Sequence, residues 1–466
     1  MGYDWQTVSL YVSGIFNTMD PSVILRNINK LPKNLLLAAM EVEQLLKENN
    51  FEAYLVGGCV RDLLLGRKVS DLDFTTNARP QQVISIFKRT IPVGIAFGTV
   101  IVVIKDFAFE VTTYRLDTEY EDGRRPKKVH FGITLEEDVK RRDFTINGLA
   151  YSICNKKLLD FSGGLQDLKK KTICTIGNAI DRFSEDGLRP VRGCRFAATL
   201  DFQINQETFE AIPKCIETVK KVAAERFFDE WKKTLRIPFR FMFLAYLSKA
   251  GLFLLFFRGF NNLEIKLKSK DEKTLSFLNT SNIKTLIEYF AAILICELDG
   301  SHNFDKPSLI EKEYNEFFKF QKLPLIVKRL GINIAISPLF NLFDTIGNMQ
   351  AQLNNSNNQK LIKNCLAQVP PKERKYHIRV FSSYLLHIKS MPKLNVEKLK
   401  KKIYEVLRSK EAIYLNELAI NGNDLLQQGF FGKEVGQLLE QILKLVHGDP
   451  QLNEKSQLLN KLRKIN

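Results

Sequence analysis

The first segment of the chain that could do chemistry combines a Gly-Gly turn with two nearby carboxylates. Gly57 and Gly58 follow an apolar run and precede an apolar, helix-like segment, so they are predicted to connect a strand to a helix. Such a turn can hold a phosphate, because glycines let backbone N–H groups approach its oxygens. Beyond Arg61, Asp71 and Asp73 lie two residues apart in a strand-like run, which would place both carboxylates on one face. Convergent carboxylates repel unless a hard cation lies between them, so the segment predicts a site for Mg²⁺ and a phosphate-bearing substrate.

Each half of this pattern also has an ordinary structural explanation, as a chain-reversing turn and as a solvated strand edge. Together, in this order and spacing, the two halves resemble the nucleotidyltransferase signature of the DNA polymerase beta superfamily. The surrounding residues resemble the class II tRNA nucleotidyltransferase and bacterial poly(A) polymerase family. The resemblance implies that Gly57, Gly58 and Arg61 bind the nucleotide. It also implies that Asp71 and Asp73 are catalytic and hold Mg²⁺.

Composition and charge restrict the class of protein. The 466 residues include 69 Lys and Arg against 52 Asp and Glu, a net charge of +17, which favours a polyanionic partner such as RNA or an anionic membrane. No run approaches 18 uncharged apolar residues and no secretory signal is recognisable, so a cytoplasmic protein without a membrane span is expected. The seven cysteines are scattered without ligand spacing, which argues against a zinc site.

The periodicity of the chain predicts an α+β fold. A helical pattern from residue 31 to 49 is followed by strand-like runs at 52–56, 70–75, 99–104 and 107–114, which indicate a mixed sheet. Beyond about residue 158 the pattern is almost entirely that of amphipathic helices. The resemblance implies a polymerase-beta-like head followed by helical parts. The expected divisions are an extension at 1–30, a head at 31–158, a neck at 159–235, a body at 236–353 and a tail at 354–466.

A third carboxylate, Glu110, lies in a strand pattern that follows the Gly98-Thr99 turn. It could join the two aspartates as a catalytic residue, or it could pair with Arg115. The sequence leaves both readings open.

The segment Arg141 to Asn147 places two arginines before an Asp and a helix-like run. An Arg pair is often a surface feature, but guanidinium groups also suit phosphate and sugar oxygens. The segment resembles the second motif of the family, which implies that Arg142 binds the nucleotide and that Asn147 lies nearby.

Residues 122–131 have the composition of a basic loop. A disordered loop is one interpretation. The resemblance implies another, a flexible loop that switches the enzyme to AMP addition. Its basic residues are Arg124, Arg125, Lys127 and Lys128.

A helix is predicted to begin with Ser184 as its N-cap and to continue past Phe196. Its charged residues recur every three positions, at Asp186, Arg189, Arg192 and Arg195. An intrahelical ion pair would be the structural explanation. A carboxylate beside a guanidinium also complements the amino group and ring nitrogen that cytosine and adenine share, and it repels uracil and guanine.

This helix resembles the base-reading motif of the family. The resemblance implies that Asp186 and Arg189 bind the base edge and that Arg192 and Arg195 bind the triphosphate. A later segment resembles the last motif of the family, which implies that Arg226 and Glu230 support the helix. Glu185, next to Asp186, is expected to support it as well. A purely structural role is the alternative for this support.

The resemblance extends from about residue 51 to 235 and returns at 418–425. The basic pair that poly(A) polymerases of this family show before the Gly-Thr turn is missing at 94–99. The expected function is therefore template-independent CCA addition to tRNA from CTP and ATP. The alternatives are an A-adding enzyme, a poly(A) polymerase and a non-catalytic RNA-binding relative. The oligomeric state remains open.

Overall fold

The computed structural model describes most of the chain in two compact units, which are divided after Phe256. The described residues are 22–69, 71–121, 125–235, 237, 239–257, 260–280, 289, 292–293, 295–296, 357–367, 374–388, 392–409 and 411–462. Within 117–128 only the backbone of the paired strands is described. Among the described residues, no helix is long and apolar enough to cross a membrane.

The first unit is built on a seven-stranded mixed sheet with the strand order β3-β4-β5-β2-β1-β8-β9. Only the β2–β5 pair is parallel among the described neighbours, and the other pairs are antiparallel. The strands are β1 Ala53–Val56, β2 Phe74–Thr76, β3 Thr90–Ile91, β4 Thr99–Ile104, β5 Phe107–Thr113, β8 Leu149–Ser152 and β9 Lys157–Asp160. The mixed sheet that the sequence predicts is confirmed.

Helices precede, separate and follow the strands of this sheet along the chain. Strand β1 leads through Gly57 into a helix, as the Gly-Gly pattern predicts, and the long helix before β1 is also confirmed. The helices are α1 Ser22–Ile28, α2 Lys33–Glu48, α3 Gly58–Leu64, α4 Pro80–Ile86 and α5 Leu135–Lys140. Helix α1 lies in the segment that was expected to be an extension, and its Asn27 donates to the Leu63 carbonyl at 2.8 Å.

The expected basic loop at 122–131 is largely a β-hairpin instead. Strand β6, Arg115–Glu121, pairs antiparallel with β7, Arg125–Phe131, in a separate two-stranded sheet. Residues 122–124, which include Arg124, lie outside the described residues. The charged composition did not predict strands here. The hairpin forms nevertheless, because pairing between two strands overrides the low intrinsic strand propensity of charged residues.

The remainder of the first unit is mainly helical. The helices are α6 Gly164–Lys169, α7 Ala179–Glu185, α8 Leu188–Leu200, α9 Gln206–Lys214, α10 Ile216–Lys220, α11 Ala224–Lys232, α12 Phe241–Lys249 and α13 Phe253–Phe256. Two short strands, β10 Thr172–Ile173 and β11 Gln203–Ile204, pair in parallel. The predicted helix start at Ser184 is wrong, because Ser184 lies inside α7 and α8 begins at Leu188.

The described part of the second unit is helical, in agreement with the prediction. Its helices are α14 Asn261–Lys268, α15 Glu272–Leu278, and those at Asn357–Ala367, Arg374–His387, Lys393–Arg408, Gly422–Gln427, Lys433–Gly448 and Lys455–Leu462. The last three surround a core that includes Leu425, Val446 and Leu458.

Candidate active site

The Gly-Gly turn has the backbone shape that only glycine adopts easily. Gly57 has φ +80° and links β1 to α3. A side chain at this position would point toward Arg142, whose Nη1 lies 3.7 Å from the place of an added Cβ. The structure therefore brings the predicted phosphate turn and one predicted nucleotide arginine together, although they are far apart in sequence.

The two aspartates lie immediately before β2, not within a strand as expected. Leu72 between them is 2% exposed, so the chain alternates and leaves Asp71 and Asp73 on the side away from the core. The Val56 N–H donates to the Asp73 carbonyl at 3.0 Å, which fixes the segment beside the end of β1. The spacing argument therefore holds without a strand, because a buried apolar residue forces the alternation.

Glu110 lies on β5 beside this pair. Strands β2 and β5 are parallel with Phe74 opposite Val111, and one step back along both strands sets Asp73 opposite Glu110. Burial and the Glu110 and Asp71 carboxylates raise the pKa of Asp73 to about 6, while Arg142 lowers it. The Arg115 guanidinium donates to the Phe97 carbonyl. The structure thus gathers three carboxylates and one arginine near the start of β2.

This donor set fits a hard divalent cation. Carboxylate oxygens are its preferred protein ligands, and its charge would relieve the repulsion that raises the pKa of Asp73. Within the described ranges, no group of three or more His, Cys, Asp or Glu side chains is arranged to hold a metal ion by itself. A cation at Asp71 and Asp73 would therefore complete its shell with substrate phosphate oxygens and water.

Arg142 is held by a carboxylate that the sequence interpretation missed. Asp138 of α5 accepts from Arg142 Nη2 at 2.9 Å and from Arg141 Nη2 at 2.7 Å. Its side chain is fully buried. Burial alone would raise the pKa of Asp138, but the two arginines hold it below its usual value. The spacing of three and four residues between acid and arginines is a signal that could have revealed this clamp.

A continuous hydrogen-bonded chain runs from the Gly-Gly turn to helix α8. Arg61 Nη1 donates to Asn147 Oδ1 at 2.7 Å, and Asn147 Nδ2 donates to Asp143 Oδ1 at 3.1 Å. The other oxygen of Asp143 accepts from Arg192 Nε at 2.7 Å. Burial would raise the pKa of Asp143, but Arg192 and its other partners lower it to about 2. These hydrogen bonds join Arg61 and Asn147, predicted to lie at the nucleotide, to an arginine predicted to do so on α8.

Glu230 of α11 extends this network to a second arginine of α8. It accepts from Arg195 Nε, and Glu230 Oε1 lies 3.6 Å from Arg192 Nη1. Desolvation lowers the pKa of Arg195 to about 10, against the attraction of Glu230. Three guanidiniums surround the ring of Phe196, with Arg61, Arg192 and Arg195 at 5.1, 5.3 and 3.7 Å from its centroid.

Asp186 stands in the break between α7 and α8 and has extended backbone. Arg226 of α11 donates to both of its carboxylate oxygens, at 3.0 and 2.7 Å, and the Leu188 N–H donates to Oδ1 at 2.9 Å. Arg189 has different partners, namely the Glu185 carboxylate and the carbonyls of Arg182 and Arg141. The intrahelical Asp186–Arg189 ion pair, considered as the structural explanation, is therefore replaced by two other pairs.

Three of the remaining predicted residues lie on strand β7 of the hairpin. Arg125, Lys127 and Lys128 belong to β7, and Arg124 lies outside the described residues. Besides Asp138, the sequence interpretation missed Asp143 and Phe196 as parts of the site. The contacts that bring them into the site are long-range, since Asp143 accepts from Arg192 across 49 residues and the Phe196 ring lies 5.1 Å from the Arg61 guanidinium. No local pattern points to these two contacts.

Known proteins match most of the length of the chain. A family model described as the poly A polymerase head domain matches residues 53–174, and one described as a probable RNA and SrmB-binding site of polymerase A matches 201–263. The chain resembles a solved structure of the Bacillus stearothermophilus CCA-adding enzyme in complex with CTP, with 27% identity and a TM-score of 0.66. That match covers 93% of this chain and 99% of the other.

Two curated relatives give the same family. The chain is 46% identical over 211 residues to the CCA-adding enzyme of Lactococcus lactis subsp. lactis strain IL1403, and it spans about half of that enzyme, 52% of its length. It is 32% identical over 416 residues to the CCA-adding enzyme of Geobacillus sp. strain WCH70, a match that covers 88% of this chain and 91% of that enzyme. On the strength of this nearly full-length match, the chain belongs to the family of CCA-adding enzymes.

Proposed function

We propose that this protein adds CMP, CMP and AMP to the 3′ end of tRNA, using CTP and ATP and releasing pyrophosphate. The observation that carries the proposal is the hydrogen-bonded chain from Arg61 through Asn147 and Asp143 to Arg192. These hydrogen bonds fix helix α8, and with it Asp186, relative to the carboxylates near the start of β2. A base-reading pair and a phosphate-transfer site then act on one nucleotide.

Enzymes of this family generally use a divalent metal ion. We assign Mg²⁺ to Asp71 and Asp73, with Glu110 as the neighbouring catalytic carboxylate. When bound, the ion would polarise the α-phosphate and favour ionisation of the tRNA 3′-hydroxyl for in-line attack.

The protein's own groups orient the triphosphate. The Gly57-Gly58 turn offers backbone N–H groups, and Arg142 offers a guanidinium that Asp138 holds above that turn. Arg192 keeps 30% of its side chain exposed and can therefore also reach a phosphate, whereas Arg195 is 10% exposed and supports α8 through Glu230. Developing negative charge on the leaving pyrophosphate would be stabilised by these fixed cations.

Base selection is assigned to the junction between α7 and α8. Arg226 fixes the Asp186 carboxylate with two hydrogen bonds, but each carboxylate oxygen can still accept another N–H. The exocyclic amino group of cytosine or adenine supplies such a donor, and the carbonyl of uracil or guanine does not. Arg189 would donate to the ring nitrogen that cytosine and adenine present beside the amino group.

Binding of the tRNA is assigned to basic helices of the second unit. The helix Lys393–Arg408 buries Val396 and Leu399 on one side and exposes basic side chains on the other. These exposed residues are Lys393, Lys398, Lys401 and Arg408. Such a face suits contacts with the phosphates of an RNA backbone. Contacts of this kind recognise the charge and shape of the RNA and not its base sequence.

The proposal is tested by incubating the purified chain with tRNAs that end at the discriminator base, at C and at CC. Separate reactions contain CTP, ATP or both, and the products are resolved at single-nucleotide length. CCA addition requires extension of all three substrates. Extension of only the CC-ending tRNA would establish A addition instead, and a long adenylate tail would establish a poly(A) polymerase. The absence of any extension would overturn all three.

A further inference from the structure

Asp138 links the Arg142 side chain to the first residue of β6. Its Oδ2 accepts from Arg142 Nη2 at 2.9 Å. Its Oδ1 accepts from the backbone N–H of Arg115 at 3.2 Å and from Arg141 Nε and Nη2 at 3.0 and 2.7 Å. The two oxygens of this carboxylate therefore bind different partners. One accepts from Arg142, and the other accepts from Arg115, the first residue of β6, and from Arg141.

Arg115 forms the base of the β6–β7 hairpin. It pairs with Phe131 at the opposite end of β7, and its guanidinium donates to the Phe97 carbonyl. The Phe131 ring closes over Gly98, so closely that a Cβ added to Gly98 would lie 2.8 Å from the ring. The hairpin base is thus fixed to the sheet through the Phe97-Gly98 turn and to α5 through Asp138.

Arg142, on the other side, faces the phosphate turn and the metal carboxylates. Its Nη1 lies 3.7 Å from the place of an added Cβ at Gly57, and its charge lowers the pKa of Asp73. The side chain of Arg142 is 19% exposed, and Asp138 is the acid with which it forms its described ion pair. A change in the position of Asp138 would therefore reach both the phosphate turn and the hairpin.

We propose that Asp138 is a positioning residue that orients Arg142 for the triphosphate and couples it to the base of the β6–β7 hairpin. This inference rests on the proposed function, because it assigns the action of Asp138 to the nucleotide of that reaction. Asp138 does not touch the reacting atoms. It acts through Arg142 on one side and through the Arg115 backbone on the other.

Two substitutions separate the two contacts. Asp138→Asn can keep Oδ1 as an acceptor for the Arg115 and Arg141 N–H groups, while its amide nitrogen replaces the oxygen that accepts from Arg142. Asp138→Ala removes both. Glu43→Gln is a matched control, because Glu43 is equally buried in the same unit but binds the Ser152 hydroxyl and the Ile153 and Cys154 N–H groups instead.

The first measurement is kcat/KM for CTP on tRNA without CCA, together with the equilibrium Kd of MgCTP. Asp138→Asn is expected to weaken both by about 10- to 100-fold, the cost of losing a hydrogen bond between charged groups. In an Arg142→Ala background the same substitution is expected to cost less than about twofold, because its target is gone. Glu43→Gln is expected to lower the melting temperature and leave the Kd unchanged.

The second measurement is hydrogen exchange at the Arg115 amide. Asp138→Asn is expected to leave this amide protected, and Asp138→Ala is expected to expose it and to impair AMP addition more than CMP addition. The proposal would be overturned if Asp138→Asn lowered kcat/KM for CTP in the Arg142→Ala background as much as it does in the wild type. An unchanged Kd of MgCTP in the Asp138→Asn variant would also overturn it. The Kd and exchange readouts require no turnover, so they test the inference even if the wild-type protein extends no tRNA, a result that would refute only the proposed function. If Asp138→Ala fails to fold, Asp138→Asn still decides whether Asp138 orients Arg142.

Discussion

Arg226 donates two hydrogen bonds to Asp186, from Nη1 to Oδ1 at 3.0 Å and from Nη2 to Oδ2 at 2.7 Å. The two residues lie 40 positions apart in the sequence. The pair orients a carboxylate whose own backbone is not helical. Because the guanidinium is planar and bidentate, the carboxylate plane is fixed as well as its position. This geometry is what a carboxylate needs in order to discriminate one base edge from another.

Asp186→Ala is expected to relax discrimination against UTP. The substitution removes the acceptor for the amino group and also the repulsion against a carbonyl, a loss of about 1–3 kcal/mol, or roughly five- to two-hundredfold in selectivity. Competition among all four nucleoside triphosphates on tRNA without CCA measures this. Arg189→Ala should instead weaken CTP and ATP alike, and Arg226→Lys should reduce selectivity less than Asp186→Ala. Unchanged selectivity in the Asp186 variant would leave the residue a structural partner of Arg226.

Asp71→Ala and Asp73→Ala are expected to reduce the addition of both nucleotides to background, since these carboxylates are assigned to the metal ion. Binding of tRNA should stay within a few-fold, because the basic helices of the second unit are untouched. A gel-based addition assay in Mg²⁺ and a binding titration give the two readouts. The control is Asp106→Ala, an exposed carboxylate in the turn between β4 and β5, which should retain full activity. Substantial turnover by either site variant would contradict the metal assignment.

Deletion of residues 123–128 is expected to leave the two CMP additions largely intact and to cripple the final AMP addition. The deletion removes the start of β7 and leaves Asp186 and Arg226 in place. Single-turnover assays on tRNA without CCA and on tRNA ending in CC separate the steps. Equal loss of both steps would assign the hairpin to folding or to substrate docking.

Asp143→Asn is expected to destabilise the protein at neutral pH and to do so less in acid. The folded pKa of Asp143 is about 2, below the ordinary value of 3.8, so its contribution is present above pH 4 and is lost as pH falls toward 2. The shift corresponds to about 2 kcal/mol at pH 7. Denaturant unfolding of the wild type and the variant at pH 7, 5 and 3 measures the difference, with Asp106→Asn as an exposed control. A difference that does not shrink at pH 3 would show that packing, not charge, gives Asp143 its role.

The sequence by itself determined the parts of the site whose signal is local. Gly57 needs a positive φ, and Asp71 and Asp73 alternate around an apolar residue, so glycine type and spacing reveal both. The same holds for the longest strands of the mixed sheet, because β4 and β5 carry their own alternation of buried and more exposed residues. The spacing of the arginines on α8 also predicted a helix, because neighbours on one side of a helix recur every three or four residues.

Only the tertiary structure decided which charges meet. Helix α8 begins after Gly187, where an added Cβ would lie 2.3 Å from the Thr218 carbonyl of α10. The local sequence does not predict this contact. Asp143 finds Arg192 across 49 residues, and Asp186 finds Arg226 instead of its neighbour Arg189. Long-range partners are chosen by how whole helices pack, because buried charges must each be satisfied once the elements come together. The hairpin followed the same principle, since the pairing of two strands outweighed their charged composition.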